Sequence, residues 1–242
     1  MSDPRSSLER IKFEGNPEPR CPVVLLLDTS SSMGGEPIQQ LNDGLRLFEQ
    51  EVKNSPEASV RVELAVVPFG GGPRVVDGAS GGAQTLEWNA AKAFVTAGDF
   101  QAPSFTAMGD TPMGEAARRA VSLLTDVKAI YKRNGIDYYR PWVVLITDGQ
   151  PTDDGWREAA RMLRTEESRR GVTVFGIGVD QANMAQLGEF CTRQPLRLRG
   201  LAFREFVLWL SNSLKSTSQK RAGEQIALPA PSDWAAVDTS TR

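Results

Sequence analysis

Histidine is absent from all 242 residues. That excludes Ser-His-Asp and Cys-His catalysis, imidazole metal ligands and any imidazole pH switch. Cysteine is almost absent. Cys21 and Cys191 stand far apart, each beside an apolar segment, and read as free, partly buried thiols, with a disulfide between them left open. No CxxC pattern suggests zinc. No apolar run approaches the roughly 18 residues that a membrane helix needs. The opening segment MSDPRSSLERIKFEGNPEPR is polar and carries no apolar core of a secretory signal, so the expectation is a cytoplasmic chain without a membrane partner. A charge excess is also missing: Lys plus Arg is 28 and Asp plus Glu is 30, for a net charge of -2. Nucleic acid as a dominant partner usually needs a clear basic excess, and none is expected here.

Hydrophobic residues make up 40% of the chain, enough for a substantial core. Continuous apolar runs, 22–27, 142–146 and 172–179, read as buried parallel strands, each followed by an acidic position: Asp28, Asp148 after Thr147, and Asp180. The stretch Val60-Arg-Val-Glu-Leu64 alternates before turning apolar through Val67, which suits a strand exposed on one side at its start. Between these runs the period becomes helical. Ile38, Leu41, Leu45, Phe48 and Val52 share one face after Pro37. So do Met113, Ala117, Ala120, Leu124, Val127 and Tyr131, in a long helix ending near Asn134-Gly135. Trp156, Ala160 and Leu163 mark a further helix, and Phe203, Val207, Leu210 and Leu214 the last.

Alternating strands and helices predict an α/β fold in a single domain: a doubly wound, mostly parallel central sheet flanked by helices. Residues 1–20 are expected to form a polar N-terminal segment, 21–219 the domain, and 220–242 an extended Pro-containing arm whose Trp234 docks on it. Residues 77–109 show no clean periodicity: 86–95 suits a short helix and 93–96 equally a short strand.

In such sheets ligands bind beyond the carboxyl ends of the strands, where strand order reverses. Asp28-Thr-Ser-Ser-Ser32 leaves a strand offering a carboxylate and hydroxyls at Asp28, Ser30 and Ser32. Alternate residues of an extended turn point the same way, so these oxygens can converge. Asp148 adds a carboxylate from another strand end, and Thr111, before Pro112, adds a hydroxyl from the loop entering the long helix. Each piece alone has an ordinary reading: an Asp after a strand caps a turn or helix, and Thr-Pro is an N-cap followed by a first-turn proline. Together they form an oxygen-rich set of the kind that hard cations such as Mg2+ take.

Asp28-Thr-Ser-Ser-Ser-Met33 resembles the DxSxS metal-ion-dependent adhesion site of von Willebrand factor A domains, and Thr147-Asp148-Gly149 resembles that family's second acidic segment. The segments PVVLLLDTSSSMGGEP (22–37), GDTPMGEA (109–116), NGIDYYRPWVVLITDGQPTDD (134–154) and 196–214 are similar to TerY-type members from bacterial tellurium-resistance clusters. The resemblance implies that Ser30 and Ser32 hold a cation directly (Mg2+, or Mn2+ or Ca2+). It implies that Asp28, Asp148 and Thr111 act directly or through water. One coordination position stays open to an Asp or Glu of a protein partner. It further implies a scaffold in stress response or phosphosignalling, associated with a protein kinase or a PP2C-type phosphatase. Asp110 departs from the family, where glycine is usual; it reads as an exposed loop charge. Asp153 and Asp154 are expected to cap the helix at Gly155-Trp156.

Three other readings compete. A Mg2+-dependent phosphohydrolase with Asp28 as nucleophile wants a second carboxylate two residues later as general acid, and that position is Ser30. A nucleotide-binding domain lacks a GxxxxGK[ST] loop; Gly176-Ile-Gly178 lies inside a strand, where close packing against a helix explains it. A structural relative with an empty site is disfavoured by the complete ligand set.

Overall fold

A computed structural model describes residues 16–198, 202–218 and 235–237. Residues 1–15, 199–201, 219–234 and 238–242 lie outside the described residues, and with them Trp234 and the docking expected of it. The strands are β1 (Cys21–Leu27), β2 (Val62–Pro68), β3 (Val75–Val76), β4 (Thr85–Leu86), β5 (Val95–Thr96), β6 (Trp142–Thr147), β7 (Thr173–Gly178), β8 (Leu196–Leu198) and β9 (Ala235–Val237). The helices are α1 (Glu36–Lys53), α2 (Pro56–Arg61), α3 (Ala90–Ala93), α4 (Met113–Arg133), α5 (Trp156–Ser168), α6 (Met184–Gly188) and α7 (Phe203–Ser218). Both short elements weighed for the Gly-rich region form, α3 and then β5. Within the expected arm, residues 235–237 form the strand β9.

The sheet runs β4-β3-β2-β1-β6-β7-β8-β9, with β5 also pairing β2. Its centre is parallel: β1 lies between β2 and β6, and β7 and β8 continue outward. The short strands β3, β4, β5 and β9 are antiparallel additions. From β1 the chain winds first to one side, through α1 to β2, and later returns to the other side at β6. The strand order therefore reverses between β1 and β6, and the carboxyl ends of those two strands flank the resulting crevice.

Successive side chains of β1 enter opposite layers. Val23, Leu25 and Leu27 join the core with α1 and α7, through Ile38, Leu41, Leu45, Phe48, Phe203, Val207, Leu210 and Leu214. Val24 and Leu26 join the core with α4 and α5, through Met113, Ala117, Ala120, Leu124, Val127, Trp156, Ala160 and Leu163. Every position of the predicted apolar faces is buried. Gly176 and Gly178 lack a Cβ for the expected reason. One there would stand 3.2 Å from Leu187 Cγ at the first and 2.3 Å from Met184 Sδ at the second, both on α6. Both cysteines are free and buried, and burial pushes each thiol up to about 12.

One expectation is overturned. Glu63, placed on an exposed start of β2, is 1% exposed. Its carboxylate lies 3.1 Å from Arg20 Nε and accepts a hydrogen bond from Tyr131 Oη. Arg20 is itself fully buried just before β1. Alternating polarity normally marks a wet face, but here it marks an internal ion pair. Among the described residues no helix is long and apolar enough to cross a membrane.

Candidate functional site

The crevice between β1 and β6 is lined by backbone that leaves both strands in register. Asp28 N–H still continues the ladder, donating to Ile146 O at 2.9 Å. The chain then turns so that Asp28 Oδ1 accepts from Ser30 N–H at 2.8 Å. Thr147, the last residue of β6, donates its hydroxyl to Asp28 Oδ2 and accepts from Gly149 N–H at 3.1 Å. The Asp28 carboxylate is fully buried, and that burial raises its pKa against the opposing pull of these hydrogen bonds.

From Asp28 the hydroxyls step outward. Ser30 Oγ lies 3.0 Å from Ser32 Oγ, and Ser32 Oγ donates to Asp148 Oδ1 at 2.8 Å. Asp148 is half-buried. Its pKa is raised, first by burial, opposed by the Ser32 hydrogen bond and reinforced by the negative charge of Asp28. Two like charges in one crevice repel each other and favour a cation between them. Thr111 is 5% exposed. A Cβ placed on Gly149 would sit 3.4 Å from Thr111 Oγ1 and 3.6 Å from Asp28 Oδ2, so both oxygens border the space over that glycine. All five predicted residues therefore meet at one place. Among the described residues no three His, Cys, Asp or Glu side chains gather, so hydroxyls supply the rest of this set. Two carboxylates, three hydroxyls and the uncovered space over Gly149 fit a hard cation of the Mg2+ type, which takes oxygen ligands and keeps waters.

Sequence reasoning missed what holds these loops. Thr29, fully buried, accepts from Gly70 N–H on its hydroxyl at 3.0 Å and from Met108 N–H on its carbonyl at 2.8 Å. Ser31 N–H donates to Gly109 O at 3.0 Å. Gly70 has no room for a side chain, because a Cβ there would lie 2.0 Å from Thr29 O. Asn42 of α1 exchanges two hydrogen bonds with the backbone of Phe105, at 2.9 and 2.8 Å, and Glu49 accepts from Ala102 N–H at 2.8 Å. An amphipathic helix with a buried asparagine facing a structureless stretch was the available signal. Asp110 is exposed, as read, and its carbonyl accepts from Gly71 N–H at 3.3 Å.

The capping assignments need correction. Thr111 is not the N-cap of α4. Pro112 holds that position and, having no side-chain donor or acceptor, caps nothing. Asp153 does not cap α5, whose N-cap is Gly155 in the left-handed conformation. Asp153 reaches across to α4, accepting from Gly114 N–H at 3.0 Å and Glu115 N–H at 2.8 Å. This satisfies the orphan donors of α4 from another loop and leaves the Thr111 hydroxyl to face the crevice.

The family described as von Willebrand factor type A domain matches residues 23–204. No curated protein matches the sequence significantly. Among solved structures, proximal thread matrix protein 1 from the mussel byssus is similar at 19% identity and TM-score 0.57, over 82% of this chain and 49% of that one. The pilus adhesin SpaC of Lactobacillus rhamnosus GG is similar at 14% identity and TM-score 0.58, over 84% of this chain and 31% of its own. The vWF domain of the type V pili tip protein Mfa5 from Porphyromonas gingivalis is similar at 12% identity and TM-score 0.56, over 86% and 99%. The chain thus spans about half or less of the byssus protein and of SpaC, and nearly all of the Mfa5 domain.

Proposed function

The chain belongs to the von Willebrand factor type A domain family, and on that premise we propose that it is a protein-interaction module whose contact point is a divalent cation. Mg2+, or Mn2+ or Ca2+ in its place, would be held by Asp28, Ser30, Ser32, Thr111 and Asp148. The observation that carries this reading is the file of oxygens from Ser30 through Ser32 to Asp148, beside buried Asp28, with the Thr111 hydroxyl bordering the same space. When bound, the cation supplies an electrophilic centre with room for one outside ligand.

The residues of the chain do the rest. Asp28 anchors the turn through Ser30 N–H and Thr147. Ser32 and Asp148 hold each other in place. Three of the five groups are neutral hydroxyls, and with Asp28 or Asp148 acting through water the cation stays electrophilic enough to take an Asp or Glu from a partner protein. A similar fold serves as a pilus adhesin in SpaC and in a pilus tip protein in Mfa5, which supports an interaction role. The finer likeness to TerY-type proteins points to a scaffold in tellurite resistance or phosphosignalling, with a kinase or PP2C-type phosphatase as partner.

The phosphohydrolase reading is disfavoured. Asp28 is fully buried with each oxygen accepting a hydrogen bond, and the position two residues on, where a general acid is wanted, is Ser30. Calorimetric titration of Mg2+ or Mn2+ into wild type and Asp28→Ala tests the site: binding is expected only in wild type, and equal binding by both sinks the assignment. Proteins that co-purify with the chain and leave on chelation would identify the partner.

A further inference from the structure

The loop after β6 does more than carry Asp148. Thr152 Oγ1 accepts from Thr111 N–H at 3.0 Å, and Thr152 N–H donates back to Thr111 O at 3.0 Å. The next residue, Asp153, takes two first-turn amides of α4 that the helix itself leaves unpaired, at Gly114 and Glu115. Arg118, one turn on, reaches Gly155 O at 3.3 Å and Asp153 Oδ2 at 3.5 Å. Close approach is built in: a Cβ on Gly114 would lie 2.5 Å from Trp156 Cα. Five hydrogen bonds and an ion pair therefore lock the Thr111 segment to the segment that carries Asp148.

We propose that Thr152 and Asp153 are positioning residues for the cation site, fixing the Thr111 hydroxyl relative to Asp148 before any ion arrives. The inference rests on the metal-dependent reading above. The atoms nearest a Cβ placed on Gly149 belong to Thr111 and Asp28, and the two residues reach the site through the Thr111 segment, Thr152 by its bonds to Thr111 and Asp153 by fixing the helix turn that follows. A ligand that arrives already aimed costs less ordering on binding, and residues that orient metal ligands typically affect affinity by 10–100-fold. The arrangement makes a specific claim: the contribution of Thr152 and Asp153 to affinity passes through one hydroxyl.

The test is a double-mutant cycle with Mn2+ as the probe, read by calorimetry on the full chain. Thr152→Val removes the acceptor for Thr111 N–H, and Asp153→Asn weakens the grip on α4. Each is expected to raise the Mn2+ dissociation constant by on the order of tenfold. In a Thr111→Ala background the same substitutions should have almost no further effect. Amide exchange in metal-free protein gives an independent readout, with faster exchange at Gly114 and Glu115 expected in Asp153→Asn. An unchanged dissociation constant in both variants, with Asp28→Ala abolishing binding, overturns the positioning role and leaves the site reading intact. An undiminished effect in the Thr111→Ala background overturns it as well, since the two residues then act on the fold at large. Binding that survives Asp28→Ala overturns both readings together.

Discussion

Ser32 Oγ stands 2.8 Å from Asp148 Oδ1 although 116 residues separate them. The contact links the turn after β1 to the turn after β6, and the two residues hold one another in the geometry a cation would meet. Ser32→Ala and Asp148→Ala are each expected to weaken Mg2+ binding at least tenfold. The double variant should lose less than the two losses combined, since neighbours sharing one network are not additive. Calorimetry on the three variants measures this, and strict additivity would show that the pair does not act as a unit.

A ligand that binds only the folded chain stabilises it by mass action. At a Mg2+ concentration about 100 times its dissociation constant the gain is about 2.7 kcal/mol. Thermal melting should therefore shift upward with Mg2+, return on chelation, and stay flat in Asp28→Ala. A shift of equal size in that variant would place the bound ion elsewhere.

The buried pair at the opposite end of the sheet controls stability. Removing Arg20 leaves the Glu63 carboxylate buried without its cation, so Arg20→Met is expected to destabilise by about 3–5 kcal/mol. Burial raises the Glu63 pKa above the ordinary 4.5, against the pull of Tyr131 and Arg20. The folded chain then binds more protons than the unfolded chain over that window. Unfolding free energy from Glu63 should thus be full below 4.5 and fall as pH rises through the raised value. Urea unfolding against pH in wild type and Glu63→Gln isolates it, the variant lacking this part of the slope.

Gly70→Ala is expected to cost more than a surface substitution, by about 1–3 kcal/mol or more, because its methyl would meet the backbone of Thr29. Gly149→Ala is different. Its methyl would make ordinary contacts with Thr111 and Asp28, so folding should persist while the space between their oxygens fills. Denaturant midpoints and Mn2+ titration together separate these two outcomes.

The helices and central strands were legible because their signal is periodic and local. Ile38 through Val52 and Met113 through Tyr131 each form one face whatever they pack against, and each face is buried. Asp28 and Asp148 were legible because a doubly wound sheet assigns meaning to strand ends. Thr111 was legible as a hydroxyl in the loop entering the long helix, and the family resemblance strengthened its place in the set. Glu63 was misread because its partner Arg20 lies 43 positions earlier, and alternation looks the same whether water or a guanidinium faces the carboxylate. Asp153 was misread for a related reason. Capping rules look to the next helix in sequence, whereas the open amides it satisfies belong to the previous one.

The last strand, β9, pairs antiparallel with β8 at three positions, Leu196 with Val237, Arg197 with Ala236 and Leu198 with Ala235. A bare outer strand is a template on which a second chain can grow. β9 therefore covers the backbone groups along the outer edge of β8 and itself becomes the short outer strand. A chain cut after Ser218 would leave the edge of β8 open, and pairing with a second chain is expected to begin there.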